Sequence, residues 1–314
     1  MLSRPPFEIS VFPRETWTWE EFYAKAPPFS IALDGMVRGG PKFNPAACCL
    51  NFDHHDGVVR EATMSTAMQI YFAIKGGLMK LLAKNSIIHV FINDTDQDTS
   101  LAVWLLLNHK LFEETQSVPH ISRLLALTDR LDITGGAFPM NLSDELLQHH
   151  NWIFEPYSRL RKTGVLAQAT AEVLLDNLET VLSRLNLFLM NESGKTPLDT
   201  RHTILFDSPE FKMIDEIGGN EARYFLFSHG MDAFVSLVAR RTDGRFVYTI
   251  GRRSRYIPFP VVELYNAFNK AEGLTLENGW NGSDIVGGSS RSFGSKLTWQ
   301  EIRDIILCYR DDRI

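Results

Sequence analysis

The stretch Ala46-Ala47-Cys48-Cys49-Leu50-Asn51-Phe52-Asp53-His54-His55-Asp56 joins an apolar run to a cluster of acids and imidazoles. Short apolar runs bounded by polar turns indicate buried strands. Two further runs also end in an aspartate: residues 29–33 lead into Asp34, and residues 87–93 lead into Asp94. Because ligands collect at the carboxyl ends of strands in an open α/β sheet, we expect these acids to converge on one crevice.

Carboxylates crowded around imidazoles repel one another unless cations lie between them. Asp94 and Asp96 are two residues apart after a predicted strand, and in extended backbone such side chains point the same way. Carboxylates with one or two imidazoles suit manganese or magnesium better than zinc or copper. Two such ions clamp phosphoryl oxygens and activate water, and Asp34 is the best candidate for the carboxylate that bridges them. The sequence therefore predicts metal-assisted hydrolysis.

Composition sets the class of protein. With 314 residues, 44% of them hydrophobic and 22% charged, the chain is long enough for two ordinary globular domains. The net charge of −6 argues against a nucleic-acid binder that uses its whole surface. Three cysteines exclude a disulfide framework and indicate a reducing compartment. The chain shows neither eighteen unbroken apolar residues nor the plan of a secretion signal, so we expect a cytoplasmic protein without membrane contact.

The order of the predicted elements defines the fold class. Strand-like and helix-like runs alternate through the first two-thirds of the chain, which predicts an α/β fold: a mainly parallel sheet with flanking helices, followed by a smaller α+β domain. The predicted helices cover residues 65–84, 99–112, 118–131, 164–190 and 260–272, and Gly76-Gly77 could split the first. The predicted later strands cover residues 202–206, 224–228, 233–239 and 246–250. Thr298 and Glu301 have the spacing of a capping box that opens a last helix. The domain boundaries follow as 1–192, a linker at 193–202, and 203–314.

Several motifs resemble the DHH phosphoesterase superfamily: Asp53-His54-His55 after an apolar strand, Asp94-x-Asp96-x-x-x-Ser100 at a strand-to-helix turn, and the strand-end Asp34. That superfamily includes family II inorganic pyrophosphatases, RecJ-type exonucleases, and enzymes that degrade short oligonucleotides or cyclic dinucleotides. An acid within residues 124–132 resembles its fourth metal-binding motif, and Asp129 and Asp132 both remain candidates. Residues 248–255 and 287–291 resemble the DHH-associated C-terminal domain, in which a strand ending in Arg-Ser and a glycine-rich loop bind substrate.

The resemblance implies roles for these residues. It implies two Mn²⁺ ions, with Mg²⁺ as the other possibility, held by Asp34 as the bridge, His54, Asp94, Asp96 and either Asp129 or Asp132. Asp53 would orient the imidazole of His54. His55 would face the substrate phosphate, where it stabilises charge or protonates the leaving oxygen. The implied substrate-binding residues are Arg252, Arg253, Ser254, Gly287, Gly288, Ser289 and Arg291.

Three departures from the family pattern affect these expectations. Asp94 and Asp96 follow Asp53-His54-His55, so the motif order is permuted, although a site depends on geometry rather than chain order. The family's histidine four residues before the first aspartate is replaced by Val90. One metal would then be bound more weakly, or ligated by Asp98 or Asp56 instead. The glycine-rich loop also lacks the histidine that is common in that motif, so substrate preference does not carry over.

Charge in the second domain suggests a phosphate site. Residues 240–255 contain six arginines and one acid, Asp243, a local charge of +5. Arginine matches phosphate with two parallel hydrogen bonds, and the backbone amides of a Gly-Gly-Ser loop can form an anion nest. We therefore expect a phosphate clamp that faces the metal site across a cleft between the domains.

Two classes of function follow from the sequence. The favoured one is a manganese-dependent phosphoesterase acting on a phosphodiester or phosphoanhydride of a nucleotide or short oligonucleotide. The alternative is a catalytically weak or inactive relative that binds a nucleotide or nucleic acid. The missing family histidine supports the alternative, and the carboxylates oppose it. A second histidine pair, His149-His150, is expected to lie on the surface.

Overall fold

The computed structural model describes residues 2–4, 6–83, 87–275, 278–290 and 293–311. The chain divides into two compact units. The first contains Met1–Ile133 and Glu145–Pro197, and the second contains Thr134–Asp144 and Leu198–Ile314. The division after Pro197 falls inside the expected linker. Residues 134–144, which were expected in the first domain, belong instead to the second unit, where Ala137 packs beside Ile214 and Phe234.

The first unit contains a six-stranded sheet with a parallel centre. Its strands are β1 Leu2–Arg4, β2 Phe7–Val11, β3 Ser30–Leu33, β4 Lys42–Asn44, β5 Cys49–Phe52 and β6 Ile88–Ile92. The order across the sheet is β1-β2-β6-β3-β5-β4. The pairs β2–β6, β6–β3 and β3–β5 are parallel, and the outermost strands on both sides pair antiparallel. This arrangement confirms the α/β class and the mainly parallel sheet.

The apolar runs form strands because both faces of this sheet are covered. Ile31 and Leu33 pack into the larger core beneath the helices, whereas Ala32 between them packs on the opposite face with Trp17 and Phe22. Side chains alternate between faces along a strand, so a sheet buried on both sides requires an unbroken apolar run.

Seven α-helices surround this sheet in the part of the chain that the structure describes. They are α1 Trp19–Lys25, α2 Thr66–Lys75, α3 Leu78–Leu82, α4 Gln97–Leu107, α5 Pro119–Ile133, α6 Glu145–Lys162 and α7 Ala171–Leu189. The predicted helix over 65–84 is split at Gly76-Gly77, where Gly77 has a φ of 97°. Helix α6 was not predicted. No helix within the described ranges combines the length and the apolar character needed to cross a membrane.

The second unit is built on another six-stranded sheet of mixed direction. Its elements are β7 Thr203–Asp207, β8 Lys212–Asp215, α8 Asn220–Ser228, β9 Ala233–Arg240, β10 Phe246–Arg252, α9 Val261–Glu272, β11 Asn281–Gly282, β12 Val286–Gly288 and α10 Trp299–Asp311. The strand order is β11-β12-β10-β9-β8-β7, and β8–β9 is a parallel pair. This is the smaller α+β domain that the sequence predicts.

One element of the second unit contradicts the sequence analysis. Residues 224–228 were expected to form a strand, but they form the last turns of α8. The helix buries Ala222 and Leu226, four residues apart, against the sheet beside Phe234. Helical packing therefore overrides the strand preference of the aromatic residues Tyr224, Phe225 and Phe227. The expected capping box at the start of α10 is confirmed by hydrogen bonds in both directions between Thr298 and Glu301.

Candidate metal centre

Three acids that the sequence singled out follow adjacent parallel strands. Asp34 follows β3, Asp53 follows β5 and Asp94 lies just beyond β6. Because β6, β3 and β5 are neighbours in the sheet, their carboxyl ends lie along one edge. The permuted order of the motifs in the chain does not prevent this arrangement.

Asp34 lies at the centre of the cluster. Its backbone has a φ of 52°, in the left-handed region, at the turn that ends β3. Its side chain is 3% exposed and accepts one hydroxyl hydrogen bond on each oxygen, from Thr66 at 3.0 Å and from Thr99 at 2.8 Å. Burial alone would raise the pKa of this carboxyl, but the charges of His55 and His54 outweigh it and hold the pKa well below its usual value.

His54 is fully buried, and its Nε2 atom is surrounded by carboxylates. Nε2 lies 2.7 Å from Oδ2 of Asp132, 3.6 Å from Oδ1 of Asp34 and 3.8 Å from Oδ2 of Asp98. His54 and Asp132 therefore form a close ion pair, although within the described residues neither His54 Nε2 nor Asp132 Oδ2 is counted in a hydrogen bond. Burial disfavours the charged imidazole, but Asp132 and Asp34 raise the pKa of His54 to about 11.

Asp53 contacts the backbone and the other imidazole of the Asp-His-His motif. Its Oδ1 atom accepts the backbone N–H groups of His54 at 2.7 Å and His55 at 3.1 Å, and it lies 2.9 Å from Nδ1 of His55. The resemblance implied that Asp53 orients the ring of His54. This was wrong, because Asp53 contacts the ring of His55 instead. The side chain of His55 is 41% exposed, and although burial opposes it, Asp34 and Asp53 raise its pKa to about 9.

The structure separates the two acids of α5. Asp132 is the one that contacts His54, and its other oxygen lies 3.6 Å from Arg60. Asp129 instead accepts the backbone N–H of Ser65 at 2.8 Å, at the start of α2. The geometry therefore brings Asp132 into the cluster and gives Asp129 a role in capping a helix.

Asp94 and Asp96 are held by other contacts. Asp94 accepts the backbone N–H of Thr95 on one oxygen and the hydroxyl of Tyr157 on the other, both at 2.7 Å. Asp96 is the N-cap of α4 and accepts the backbone N–H of Thr99 at 3.0 Å. Burial and the nearby carboxylates, Asp34 first among them, raise the pKa of Asp96 well above its ordinary value. Asp96 therefore lies within electrostatic range of the cluster.

Asp98 joins the cluster from the first turn of α4. Its two oxygens accept the backbone N–H groups of Thr66 at 2.6 Å and Ala67 at 3.0 Å, the first residues of α2. Burial and the charges of Asp34 and Asp132 raise the pKa of this carboxyl to about 8. The sequence offered Asp98 or Asp56 as a replacement ligand, and Oδ2 of Asp98 lies 3.8 Å from Nε2 of His54.

Two groups of side chains have ligand atoms close enough together to hold a metal ion. One is Asp34, His54 and His55, and the other is His54, Asp98 and Asp132; within each group the ligand atoms lie within 4.8 Å of one another. Oxygen ligands with an imidazole suit Mn²⁺ or Mg²⁺. The buried nitrogen of His54 and the buried oxygen of Asp132, both without hydrogen-bond partners, fit a cation between them.

The glycine-rich segment of the second unit is a strand rather than an open loop. Gly287 pairs with Ile250 and Gly288 with Thr249 in the ladder between β10 and β12. A Cβ atom at Gly287 would lie 2.2 Å from the hydroxyl of Tyr265, so close packing requires glycine there. Ser289 is buried, and its hydroxyl accepts the backbone N–H of Tyr248 at 3.0 Å. The expected anion nest is therefore replaced by sheet pairing. Arg291 lies outside the described residues.

The arginine cluster is largely neutralised by acids from elsewhere in the chain. Arg240 pairs with Asp215, Arg253 with Asp232, and Arg255 with Asp284. Arg252 lies 3.8 Å from Asp284 and also donates to the carbonyl oxygens of Asp284 and Ile257, whereas Ser254 accepts the backbone N–H of Tyr256. With Asp243 included, six arginines face four acids, so the local charge falls from +5 to +2. This weakens the case for a phosphate clamp.

Three residues that complete the cluster were not found in the sequence: Thr66, Thr99 and Tyr157. Thr99 lies inside the quoted acidic motif, so its position was a usable signal. Thr66 and Tyr157 lie on helices whose packing brings them to the strand ends, and the sequence holds no local signal for that.

Comparison with known proteins leaves the site to be interpreted from its own geometry. No protein-family model, no curated protein and no solved structure matches this chain.

Proposed function

We propose that this protein is a metal-dependent phosphoesterase that hydrolyses a phosphodiester or phosphoanhydride, of a nucleotide or a short oligonucleotide. The observation that carries the proposal is the buried His54 imidazole, whose Nε2 atom has the carboxylates of Asp132, Asp34 and Asp98 around it at 2.7, 3.6 and 3.8 Å. Three carboxylates around one imidazole repel one another, and a cation between them would offset that repulsion.

The resemblance to DHH phosphoesterases supports the same activity. In that interpretation, His54, Asp98 and Asp132 would hold Mn²⁺ or Mg²⁺ beside Asp34 at the ends of the parallel strands. The metal would supply Lewis acidity toward the phosphoryl oxygens and lower the pKa of water. His54 follows β5, whereas Asp98 and Asp132 lie on α4 and α5, and their convergence does not depend on the order of the motifs.

His55 is the residue of this chain best suited to contact the substrate. Its imidazole is partly exposed, and Asp53 at 2.9 Å holds the Nδ1 side of the ring. Although burial opposes it, the charge of Asp34 and the contact with Asp53 raise the pKa of His55 and so favour its protonated ring. It can therefore donate a hydrogen bond to a phosphoryl oxygen and a proton to the leaving oxygen.

The test is hydrolysis of bis(p-nitrophenyl) phosphate, a dinucleotide and pyrophosphate by metal-stripped protein, with Mn²⁺, Mg²⁺ or Zn²⁺ added back. We expect turnover that requires Mn²⁺ or Mg²⁺. We expect His54→Ala to abolish turnover, and His55→Gln to lower kcat by about 10²- to 10⁴-fold, the usual contribution of general acid catalysis. His229→Ala and Asp176→Asn, at exposed positions of α8's C-terminal end and of α7, serve as matched controls that keep full activity.

A second candidate function is binding of a nucleotide without turnover. The hydrogen bond that Asp94 accepts from the hydroxyl of Tyr157 favours this function, because Asp94 was expected to ligate metal. In that case no substrate and metal combination gives product, whereas calorimetry detects saturable binding of a mononucleotide that His54→Ala weakens.

A further inference from the structure

The two groups of potential ligands share one residue. Both contain His54, in one case with Asp34 and His55 and in the other with Asp98 and Asp132, and the acids of both groups face its Nε2 atom, at 3.6 Å for Asp34, 3.8 Å for Asp98 and 2.7 Å for Asp132. An imidazole nitrogen has a single lone pair, so His54 Nε2 can bind one ion at a time. The two groups therefore describe alternative surroundings of one ion.

His55 is poorly placed to supply a second nitrogen ligand. Its Nδ1 atom lies 2.9 Å from Oδ1 of Asp53, the same oxygen that accepts two backbone N–H groups. A metal on Nδ1 would displace the proton that this contact requires. It would also leave the Asp53 carboxylate, which is 1% exposed, without its imidazole partner.

The position expected for another ion lacks its ligands. Asp94 contacts the backbone N–H of Thr95 and the hydroxyl of Tyr157, and it belongs to neither ligand group. Val90, four residues before Asp94, is 1% exposed within the larger core and offers no donor atom. Within the ranges that the structure describes, neither ligand group includes Asp94 or Asp96.

The remaining distances suit one centre. Ligand atoms bound to an ion at about 2.1 Å lie about 3.0 Å apart when their bonds meet at right angles. Within the group of His54, Asp98 and Asp132, the His54 Nε2 atom lies 2.7 Å from Asp132 and 3.8 Å from Asp98, which brackets that value.

We infer that the site takes a single divalent ion, held by His54, Asp98 and Asp132, where the resemblance implies two. The inference rests on the metal site of the proposed function and specifies its stoichiometry. Asp94 and Tyr157 then form a structural contact beside the ion.

The experiment uses the metal-stripped full chain and Mn²⁺ alone as the probe. Equilibrium dialysis with elemental analysis counts the bound ions, and electron paramagnetic resonance reports their surroundings. We expect one Mn²⁺ per chain at saturation and the six-line spectrum of an isolated ion. Two ions per chain, or the spectrum of an exchange-coupled pair, would overturn the inference.

Variants assign the ion to its ligands. We expect His54→Gln and Asp132→Asn to raise the Kd for Mn²⁺ at least tenfold, whereas Asp94→Asn and the exposed control Asp176→Asn change it less than threefold. Circular dichroism verifies folding. If the His54 variant does not fold, Asp132→Asn still tests the inference, because the side chain of Asp132 is 19% exposed and its replacement disturbs the core less. A tenfold loss of affinity in Asp94→Asn contradicts the inference.

The outcomes separate this inference from the proposed function. One bound Mn²⁺ without phosphoester turnover leaves the inference standing and overturns the activity. Two bound ions with turnover overturn the inference alone. A chain that binds no Mn²⁺ contradicts both.

Discussion

Asp34 illustrates what single residues disclose in the sequence and what they hide. Its place after an apolar run predicts a strand end, and a glycine after it predicts a turn, both of which the structure contains. The hydroxyl groups that hold its carboxylate come from Thr66 and Thr99, 32 and 65 residues further along the chain. Such partners depend on how helices pack on the sheet, so local sequence patterns could not identify them.

His150 yields a prediction about pH dependence. It was expected on the surface, but it is 4% exposed within α6, where its ring lies 4.7 Å from that of Phe154. Burial lowers its pKa from the ordinary 6.5 to about 3. Between these values the unfolded chain binds a proton that the folded chain does not, so stability is lost as pH falls. Replacing His150 with Phe should remove this loss, about 1.4 kcal/mol for each pH unit below about 6.

The measurement is urea unfolding of the wild type and the variant at several values between pH 7.5 and pH 4.5. The difference between the two unfolding free energies isolates His150 from the other titrating groups. If that difference is the same at every pH, the buried imidazole is not the cause.

At the scale of elements, the contacts at the start of α2 explain why the sequence could not decide whether Asp129 or Asp132 is the candidate ligand. Asp129 and Asp132 are three residues apart on α5, so they lie on neighbouring parts of one helix face. Their different positions around the helix axis decide that Asp132 reaches His54 and that Asp129 reaches the backbone of Ser65. The orientation of α5 about its own axis depends on how it packs against α2.

Asp129→Ala tests this division of roles. The variant removes the acceptor of a backbone N–H at a helix start, which typically costs about 1 kcal/mol. We expect that loss of unfolding free energy with an unchanged Kd for Mn²⁺, as measured by urea unfolding and by dialysis. Asp132→Ala is the matched comparison and should weaken Mn²⁺ binding. The reverse pattern would make Asp129 the ligand.

Helix α8 depends on a buried ion pair that its sequence does not reveal. Arg223 and Glu216 are 3% and 5% exposed, and their charged atoms lie 3.0 Å apart. The arginine also donates to Asn220 and lies over the ring of Phe234. These contacts fix a helical turn at residues whose aromatic neighbours favour a strand, which explains the wrong prediction there.

Removing one partner should therefore be costly. Glu216→Gln leaves the guanidinium buried without its counter-charge, and we expect a loss of about 3–5 kcal/mol in unfolding free energy. The double variant Glu216→Leu with Arg223→Met should lose less, because no uncompensated charge remains. Chemical denaturation of the three proteins measures both values, and a double variant less stable than the single one would contradict the explanation.

At the scale of the whole molecule, the sequence predicted which strand ends lie together better than it predicted the net charge of a surface. The apolar runs identified β3, β5 and β6, and the rule about strand ends brought their acids to one edge of the sheet. The excess of arginine in residues 240–255 proved misleading, because Asp215, Asp232 and Asp284 reach it from other segments. A count along the chain includes only local charges, whereas the fold assembles distant ones.

The division of the chain into two units predicts where a bound metal ion would slow local opening. His54, Asp98 and Asp132 all belong to the first unit. An ion that binds the folded site stabilises it by about 2.7 kcal/mol at a hundredfold excess over Kd. Opening of α2 or α4 breaks the surroundings of that ion, since Thr66 and Thr99 hold Asp34. Amide exchange there should slow by up to about a hundredfold.

Hydrogen exchange with mass spectrometry, with and without Mn²⁺, measures this effect. We expect protection in residues 66–75 and 97–107 and unchanged exchange in residues 233–252 of the second unit. Asp132→Asn should remove the protection at the same Mn²⁺ concentration. Equal slowing in both units would contradict a site confined to the first, because a bound ion raises the cost only of those openings that release it.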